Sequence, residues 1–342
     1  MSFFPALLTW TALVLLAESL RLAKAVLSGR TVRSLSSPRP APKKASLIVP
    51  FKGPDPHLEE TVKAYVDQKA WETIFVVDDL KDPACRILNR YRRKARIILA
   101  KPLPTCSGKC SSVLAGALAA KGDILVFGDS DSLTRVGWLP SLVAPLQDQS
   151  IGATTGYRWF LPGPGLASLL KAAWDEAGLS LMLSKHAFVW GGSYALRRKD
   201  FLGWGIPELW RTAISDDTVV THAVRQAGKR IRFCPRALVT SDGSTSPGRL
   251  LEFSNRQVFM VRYFSPRTWK GGLVAYGFSF LVLLSGLGSL LYSALDPRYA
   301  LPGILLLLSL LHVRPGRTAG PGRRSRRPPA HLSRCAGKSS GP

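Results

Sequence analysis

Acidic side chains are scarce. The 342 residues hold 22 Asp and Glu against 47 Lys and Arg, a formal net charge of +25. Two segments have no acid at all. Residues 21–44 carry Arg21, Lys24, Arg30, Arg33, Arg39, Lys43 and Lys44, and residues 313–342 carry seven Arg and one Lys. Cysteine is also sparse: Cys85, Cys106, Cys110, Cys234 and Cys335 form an odd, scattered set. Such a set excludes a secreted disulfide framework and points to reduced thiols facing a cytoplasm. Cys106 and Cys110 have no matching second pair, so a zinc site is not expected there. The 30 Gly and 25 Pro are too few and too irregular for a fibrous protein. With 46% hydrophobic and only 20% charged residues the chain is not a disordered one, and its length suits one large domain or two medium ones.

A basic excess of this size fits nucleic acid, anionic lipid or a phosphate-bearing substrate. Its distribution argues against nucleic acid, because the basic clusters flank apolar segments. The first, Phe3 to Ala17, extends through Leu20 towards Leu27; no basic residue precedes it and the positive charges follow it, unlike a cleaved signal peptide. The second, Gly271 to Leu295, is 25 residues without a charge, preceded by Arg262, Arg267 and Lys270. The third, Tyr299 to Val313, runs into the Arg-rich tail. Positive charge on the inner side then gives one consistent topology. It comprises an N-terminal transmembrane helix at 1–27, a basic linker at 28–44 and a cytoplasmic domain at 45–270. Transmembrane helices follow at 271–313 and a basic disordered tail at 314–342.

Within 45–270 short β-rich runs alternate with helical stretches. Strands are expected at 45–49, 73–77, 95–99 and 123–127, and helices at 56–68, 84–94, 111–120 and 218–227. Continuous apolar strands separated by helices indicate an α/β domain with a mainly parallel central sheet covered on both faces. Ligands of such sheets bind beyond the carboxyl ends of the strands, and two of those ends carry acids. Asp129-Ser130-Asp131 closes one strand and can offer two oxygens to a divalent cation that also bridges a diphosphate. Asp78-Asp79 closes another, with capping of the next helix as the structural alternative. Gly191-Gly192-Ser193 is either a close-approach loop or an ordinary tight turn. Of Ser215-Asp216-Asp217, one acid can cap the following helix while the other points into the cleft; His222 is expected on the helix surface or in its packing.

Five stretches in this order resemble those of family 2-type inverting glycosyltransferases, most closely the ceramide glucosyltransferase-like membrane enzymes. They are Val49-Pro50-Phe51-Lys52-Gly53, Val77 to Ala84, Gly128-Asp129-Ser130-Asp131-Ser132, Gly192 to Arg198 and Ser215-Asp216-Asp217. The resemblance spans roughly 45–270 and implies a GT-A-like nucleotide-sugar-binding domain plus transmembrane helices. It implies Asp79 as a nucleotide-holding aspartate and Lys109, before the helix leading to the Asp129 strand, as a donor contact. Asp129 and Asp131 become the Mg²⁺ or Mn²⁺ and diphosphate pair, Asp217 the catalytic base and Asp216 its acidic neighbour in the donor site. One departure stands out. The family's Q/R-x-x-R-W motif has no complete counterpart: from Gln257 the Arg and Trp places fall on Met260 and Val261, from Arg256 on Phe259 and Met260. A third register keeps Arg262-Tyr263 but begins at Phe259. Arg256, Gln257 and Arg262 remain candidates for meeting donor diphosphate and lipid headgroup.

The expected function is transfer of a sugar from a nucleotide-sugar donor, a UDP-sugar, to a ceramide-like or other hydroxyl-bearing lipid acceptor by a membrane-bound enzyme with a cytoplasmic site. The alternatives are a polyprenyl-phosphate sugar transferase, a polysaccharide synthase, or a catalytically inactive nucleotide-sugar-binding membrane protein.

Overall fold

The computed structural model describes residues 3–34, 44–184 and 186–310. The tail beyond Arg314, Cys335 and the centre of the basic linker lie outside these. The chain divides into two compact units, residues 1–29 with 273–342, and residues 30–272.

The chain opens with helix α1 (Phe4–Ser34), which continues into the segment expected as linker. The larger unit then alternates strands and helices: β1 (Ala45–Pro50), α2 (Leu58–Val66), β2 (Glu72–Val77), α3 (Ala84–Leu88), β3 (Arg96–Leu99), α4 (Gly108–Ala119), β4 (Ile124–Gly128), α5 (Trp138–Val143) and β5 (Ile151–Thr155). Next come β6 (Arg158–Pro162), α6 (Leu166–Met182), β7 (Ser193–Arg197), α7 (Arg198–Gly203), α8 (Ile206–Trp210), α9 (Asp216–Gln226), β8 (Arg230–Phe233), β9 (Val239–Gly243) and α10 (Pro247–Phe264). Seven strands form one sheet in the order β3-β2-β1-β4-β7-β5-β8, and β6 pairs with β9 in a small second sheet. All pairings are parallel except those of β7, which runs antiparallel between β4 and β5.

The core follows from period-two alternation in strands buried on both faces. Leu47 and Val49 of β1, Phe75 and Val77 of β2 and Val126 of β4 pack with Tyr65, Trp138 and Leu142. Ile48, Ile74, Val76, Leu125 and Phe127 point the other way, onto Val113 and Ala117 of α4 and Trp210, Val220 and Val224. Removing one such side chain, as in Leu47→Ala, costs about 2–5 kcal/mol.

Four helix boundaries differ from expectation. α2 stops before Lys69, whose φ of 51° no continuing helix accommodates. The helix expected over 84–94 ends at Leu88 and becomes a 3₁₀ turn over Asn89–Tyr91; further turns would stack Arg90 with Arg93 and Lys94. α4 begins at Gly108 because the Ser107 side chain accepts the Cys110 N–H. Lys109 is therefore inside this helix rather than before it. α9 begins at Asp216, with Ser215 at its N-cap position. His222 is exposed on α9, and Cys85, Cys110 and Cys234 are free and buried.

In the smaller unit α11 (Pro266–Tyr292) and α12 (Ala300–Ser309) follow α10, and Val14, Val282 and Leu306 form its buried centre. Among the described residues α11 is the one helix long and apolar enough to cross a membrane, and its apolar stretch is only 17% buried. The apolar part of α1, Phe4–Leu20, and α12 are shorter.

Candidate active site

β2, β1 and β4 lie side by side and parallel, so the acids after β2 and β4 flank the carboxyl end of β1. Of the expected residues, Lys109, Asp129, Asp216 and Asp217 come together. The Lys109 ammonium lies 2.6 Å from Asp129 Oδ1 and 3.5 Å from Asp216 Oδ1, and donates to the Gly191 carbonyl oxygen at 3.2 Å. Asp217 Oδ2 accepts the Gly191 N–H at 2.9 Å, and its Oδ1 accepts the Ser215 hydroxyl. Asp216 and Asp217 are the first two residues of α9 rather than its N-cap, and Ser215, which holds that position, makes no side-chain cap bond because its hydroxyl donates to Asp217.

The two neighbouring acids have different surroundings. Asp216 is 3% exposed and accepts the Tyr194 hydroxyl at 2.9 Å, while Asp217 is only half-buried. Burial pushes the Asp216 carboxyl up to about 6, Lys109 acting against it and the charges of Asp217 and Asp129 with it. Burial works against the Lys109 charge, but Asp129, Asp216 and Asp217 outweigh it and raise the ammonium well above the ordinary lysine range.

Tyr194 reaches Asp216 because β7 is antiparallel to β4. The register sets Tyr194 opposite Phe127, and the two rings stack with centroids 4.6 Å apart. From the other face Tyr65 donates to the Asp129 carbonyl oxygen at 2.9 Å. The loop before β7 is more than a tight turn. A Cβ on Gly191 would lie 2.8 Å from Lys109 Nζ and 3.0 Å from Asp217 Oδ2; one on Gly192 would lie 2.2 Å from the Trp190 ring and 2.8 Å from Asp129 Oδ2. Only glycine lets this backbone approach the charged side chains so closely.

Asp131 is exposed just beyond Asp129. Protein packed around its carboxyl group and the neighbouring Asp129 charge push its pKa up, while Arg158 and Lys109 pull it down. Among the described residues no three His, Cys, Asp or Glu side chains group into a cation cage. A divalent cation at Asp129 and Asp131 therefore needs further oxygens from a donor or water, a usual arrangement for Mg²⁺. The two crowded carboxylates suit that role.

The remaining expected residues stand outside this cluster. Asp79 is exposed after β2 and its Oδ1 accepts the Lys81 N–H at 2.8 Å, while Asp78 pairs with Lys52 at 2.7 Å. Asp82, two residues before the next helix, accepts the Ala84 and Gly53 N–H groups at 2.8 Å each, and Pro83 holds the N-cap position without a side-chain cap bond. Arg256, Gln257 and Arg262 lie on α10; among the described residues no hydrogen bond or ion pair links them to the acids. Arg262 instead covers the Trp269 ring at 5.3 Å. Sequence reasoning missed Tyr65, Tyr194 and Ser215 as supports. Tyr194 and Ser215 sit inside the quoted stretches, whereas Tyr65 shows no signal beyond an apolar helix face.

The sequence pattern of Glycosyl transferase family 21 matches residues 7–312. The chain is 26% identical over 213 residues to the probable glycosyltransferase YdaM of Bacillus subtilis, covering 57% of this chain and 50% of that protein. It is 34% identical over 88 residues to a dolichyl-phosphate beta-glucosyltransferase of Trichomonas vaginalis, covering 24% of this chain and 26% of that one. The chain thus spans about half the length of the first relative and about a quarter of the second. Among solved structures it is similar to a mannosyltransferase of Pyrobaculum calidifontis in complex with GDP-Man and Mn²⁺, with a TM-score of 0.47 and 16% identity over 87% of this chain and 97% of that one. The match over residues 7–312 covers most of the sequence, both the sheet that carries the acids and the apolar helices: the chain belongs to Glycosyl transferase family 21.

Proposed function

We propose that the protein is a membrane-bound inverting glycosyltransferase that moves a sugar from a nucleotide-sugar donor, a UDP-sugar, to the hydroxyl of a lipid acceptor. The observation that carries this reading is the placement of Asp217, an accessible carboxylate oriented by the Ser215 hydroxyl and the Gly191 N–H, beside the Lys109–Asp129 pair at the carboxyl end of a parallel sheet. A base needs fixed geometry before anything else, and these two bonds leave Asp217 free lone pairs for a substrate proton.

Asp217 takes the proton of the acceptor hydroxyl as the oxygen attacks the anomeric carbon. The new C–O bond forms on the face opposite the breaking bond to the donor phosphate, so the anomeric configuration inverts and the nucleoside diphosphate leaves with the bonding electrons. Asp129 and Asp131 would hold Mg²⁺ or Mn²⁺, and the ion would supply positive charge to offset that of the diphosphate. Lys109 adds a fixed positive charge on the donor side, and Asp216, buried and tied to Tyr194, positions Lys109. Asp79 contacts the nucleotide from the end of β2, and Arg256, Gln257 and Arg262 meet diphosphate or headgroup from α10.

The 266–292 helix and the basic residues before it support a membrane-embedded C-terminal region with the catalytic domain in the cytoplasm. The family match supports ceramide-like lipids as the acceptor; a polyprenyl phosphate is the second reading, favoured by the dolichyl-phosphate relative. The test is to incubate membranes containing the full chain with a panel of labelled nucleotide sugars and analyse the lipid extract. Label in lipid with one UDP-sugar is expected, and no label from any donor counts against transfer.

A further inference from the structure

A second charged cluster lies outside the residues assigned so far. Arg158 of β6 donates through Nη2 to Asp175 Oδ1 at 3.0 Å, and Lys171, one turn before Asp175 on α6, lies 3.5 Å from Asp175 Oδ2. All three side chains are largely buried, at 17%, 12% and 6% exposure for Arg158, Lys171 and Asp175. Two cations therefore share one carboxylate in a poorly hydrated place. Among the described residues Arg158 Nε has no hydrogen-bond partner, and Asp175 Oδ2 has only the long Lys171 contact.

Aromatic rings close the cluster. The Lys171 ammonium sits 3.4 Å from the Phe160 ring centre and 5.2 Å from that of Phe253; the Arg158 guanidinium is 5.7 Å from Phe253 and 6.0 Å from Trp190. Ring faces attract cations but supply no counter-charge; among the described residues Asp175 is the one carboxylate seen in an ion pair with the two cations. Burial and the Arg158 charge lower the Lys171 pKa by more than Asp175 and Asp131 restore it. The two cations border the acids of the candidate site. Trp190 touches Arg158 on one side, and its ring abuts Gly192 beside Asp129. The charge of Asp131 is felt by both Arg158 and Lys171.

We infer that Arg158 and Lys171, anchored by Asp175 and walled by Phe160, Trp190 and Phe253, form a phosphate-binding subsite at the Asp131 side of the cleft. A guanidinium that spends one N–H on Asp175 and keeps others, and an ammonium with spare donors, match the oxygens of a phosphate group. Two phosphates can reach this place if the cleft transfers sugar, a reading on which the choice of sources rests: the diphosphate of the donor, and the phosphate headgroup of a polyprenyl-type acceptor.

The experiment measures binding to the purified full chain in detergent, with UDP in Mn²⁺ as one probe and a short polyprenyl phosphate as the other, the matching polyprenol serving as control. Lys171→Gln leaves the Arg158–Asp175 bond intact, and Arg158→Lys keeps the charge while losing the planar fork. Each is expected to weaken one phosphate probe tenfold or more at unchanged melting temperature, with polyprenol binding unaltered. Loss on UDP assigns the subsite to the donor; loss on polyprenyl phosphate assigns it to the acceptor. Parent-like affinity for both phosphates in both folded variants overturns the inference, as does a parent protein that binds neither. Charge-dependent phosphate binding without sugar transfer from any nucleotide sugar upholds the subsite and defeats the transferase reading instead.

Discussion

Lys109 and Asp129 meet at 2.6 Å although α4 carries one and the end of β4 the other. Ser107 sets where α4 starts, and that start aims Lys109 at the strand end. The ammonium sits among Asp129, Asp216 and Asp217, and it is the group that makes three carboxylates tolerable in one place.

Replacing this ammonium therefore costs stability as well as function. Lys109→Met leaves the acids uncompensated, and its cost falls below the ~3–5 kcal/mol of a broken, fully buried pair because the side chain is 35% exposed. Denaturant unfolding of the purified protein reads the loss. Lys109→Arg is expected to recover much of it, and equal stability of parent and Lys109→Met would show the pair to be idle.

Asp216 makes stability depend on pH in a definite direction. Its folded-state pKa of about 6 lies above its ordinary value of 3.8, so the folded state binds a proton more tightly than the unfolded chain. The contribution is present in full below the ordinary value and is lost as pH rises from about 4 to about 6, amounting to about 3 kcal/mol. Asp216→Asn should flatten that part of the stability–pH curve. Tyr194→Phe removes a bond that lowers the pKa and should move the step upward.

Transfer is expected to need a divalent cation. Chelation should abolish turnover and added Mg²⁺ or Mn²⁺ restore it, while Asp131→Asn should raise the cation concentration needed or remove activity. Full turnover in excess chelator would reduce Asp129 and Asp131 to structural acids.

The first four strands and the acids after β2 and β4 were legible because both rest on local pattern, whereas β5, β6, β8 and β9 were not expected. Leu47 to Val49 and Leu125 to Phe127 are unbroken apolar runs, and the acids follow where such runs stop. β7 was not legible as a strand, since Ser193–Arg197 follows a double glycine and owes its structure to pairing with β4 and β5. The same non-local pairing delivers Tyr194 to Asp216. Asp217 was singled out by the resemblance of Ser215-Asp216-Asp217 to the family's stretch, but its contacts with Ser215 and Gly191 appear only in three dimensions. Helix ends at Ser107 and Leu88 depend on one hydroxyl and on a run of like charges, signals that apolar periodicity does not contain. The Arg158–Lys171–Asp175 cluster escaped because its members come from a second sheet and a helix whose pairing no motif announces.

Sidedness offers an independent check. Reporter fusions or cysteine labelling on intact cells should place residues 45–270 on the cytoplasmic side. Labelling of that segment from outside would remove its access to cytoplasmic nucleotide sugars.

The most direct measurement is sugar transfer to lipid by Asp217→Asn and Asp216→Asn beside the parent protein, with nucleotide binding measured on the same preparations. A lost general base costs about 10²–10⁴ in rate. Asp217→Asn is expected to lose transfer on that scale while folding and nucleotide binding stay close to the parent's, and Asp216→Asn to keep a measurable fraction of activity. Parent-rate transfer by Asp217→Asn would contradict the assignment and place the base elsewhere.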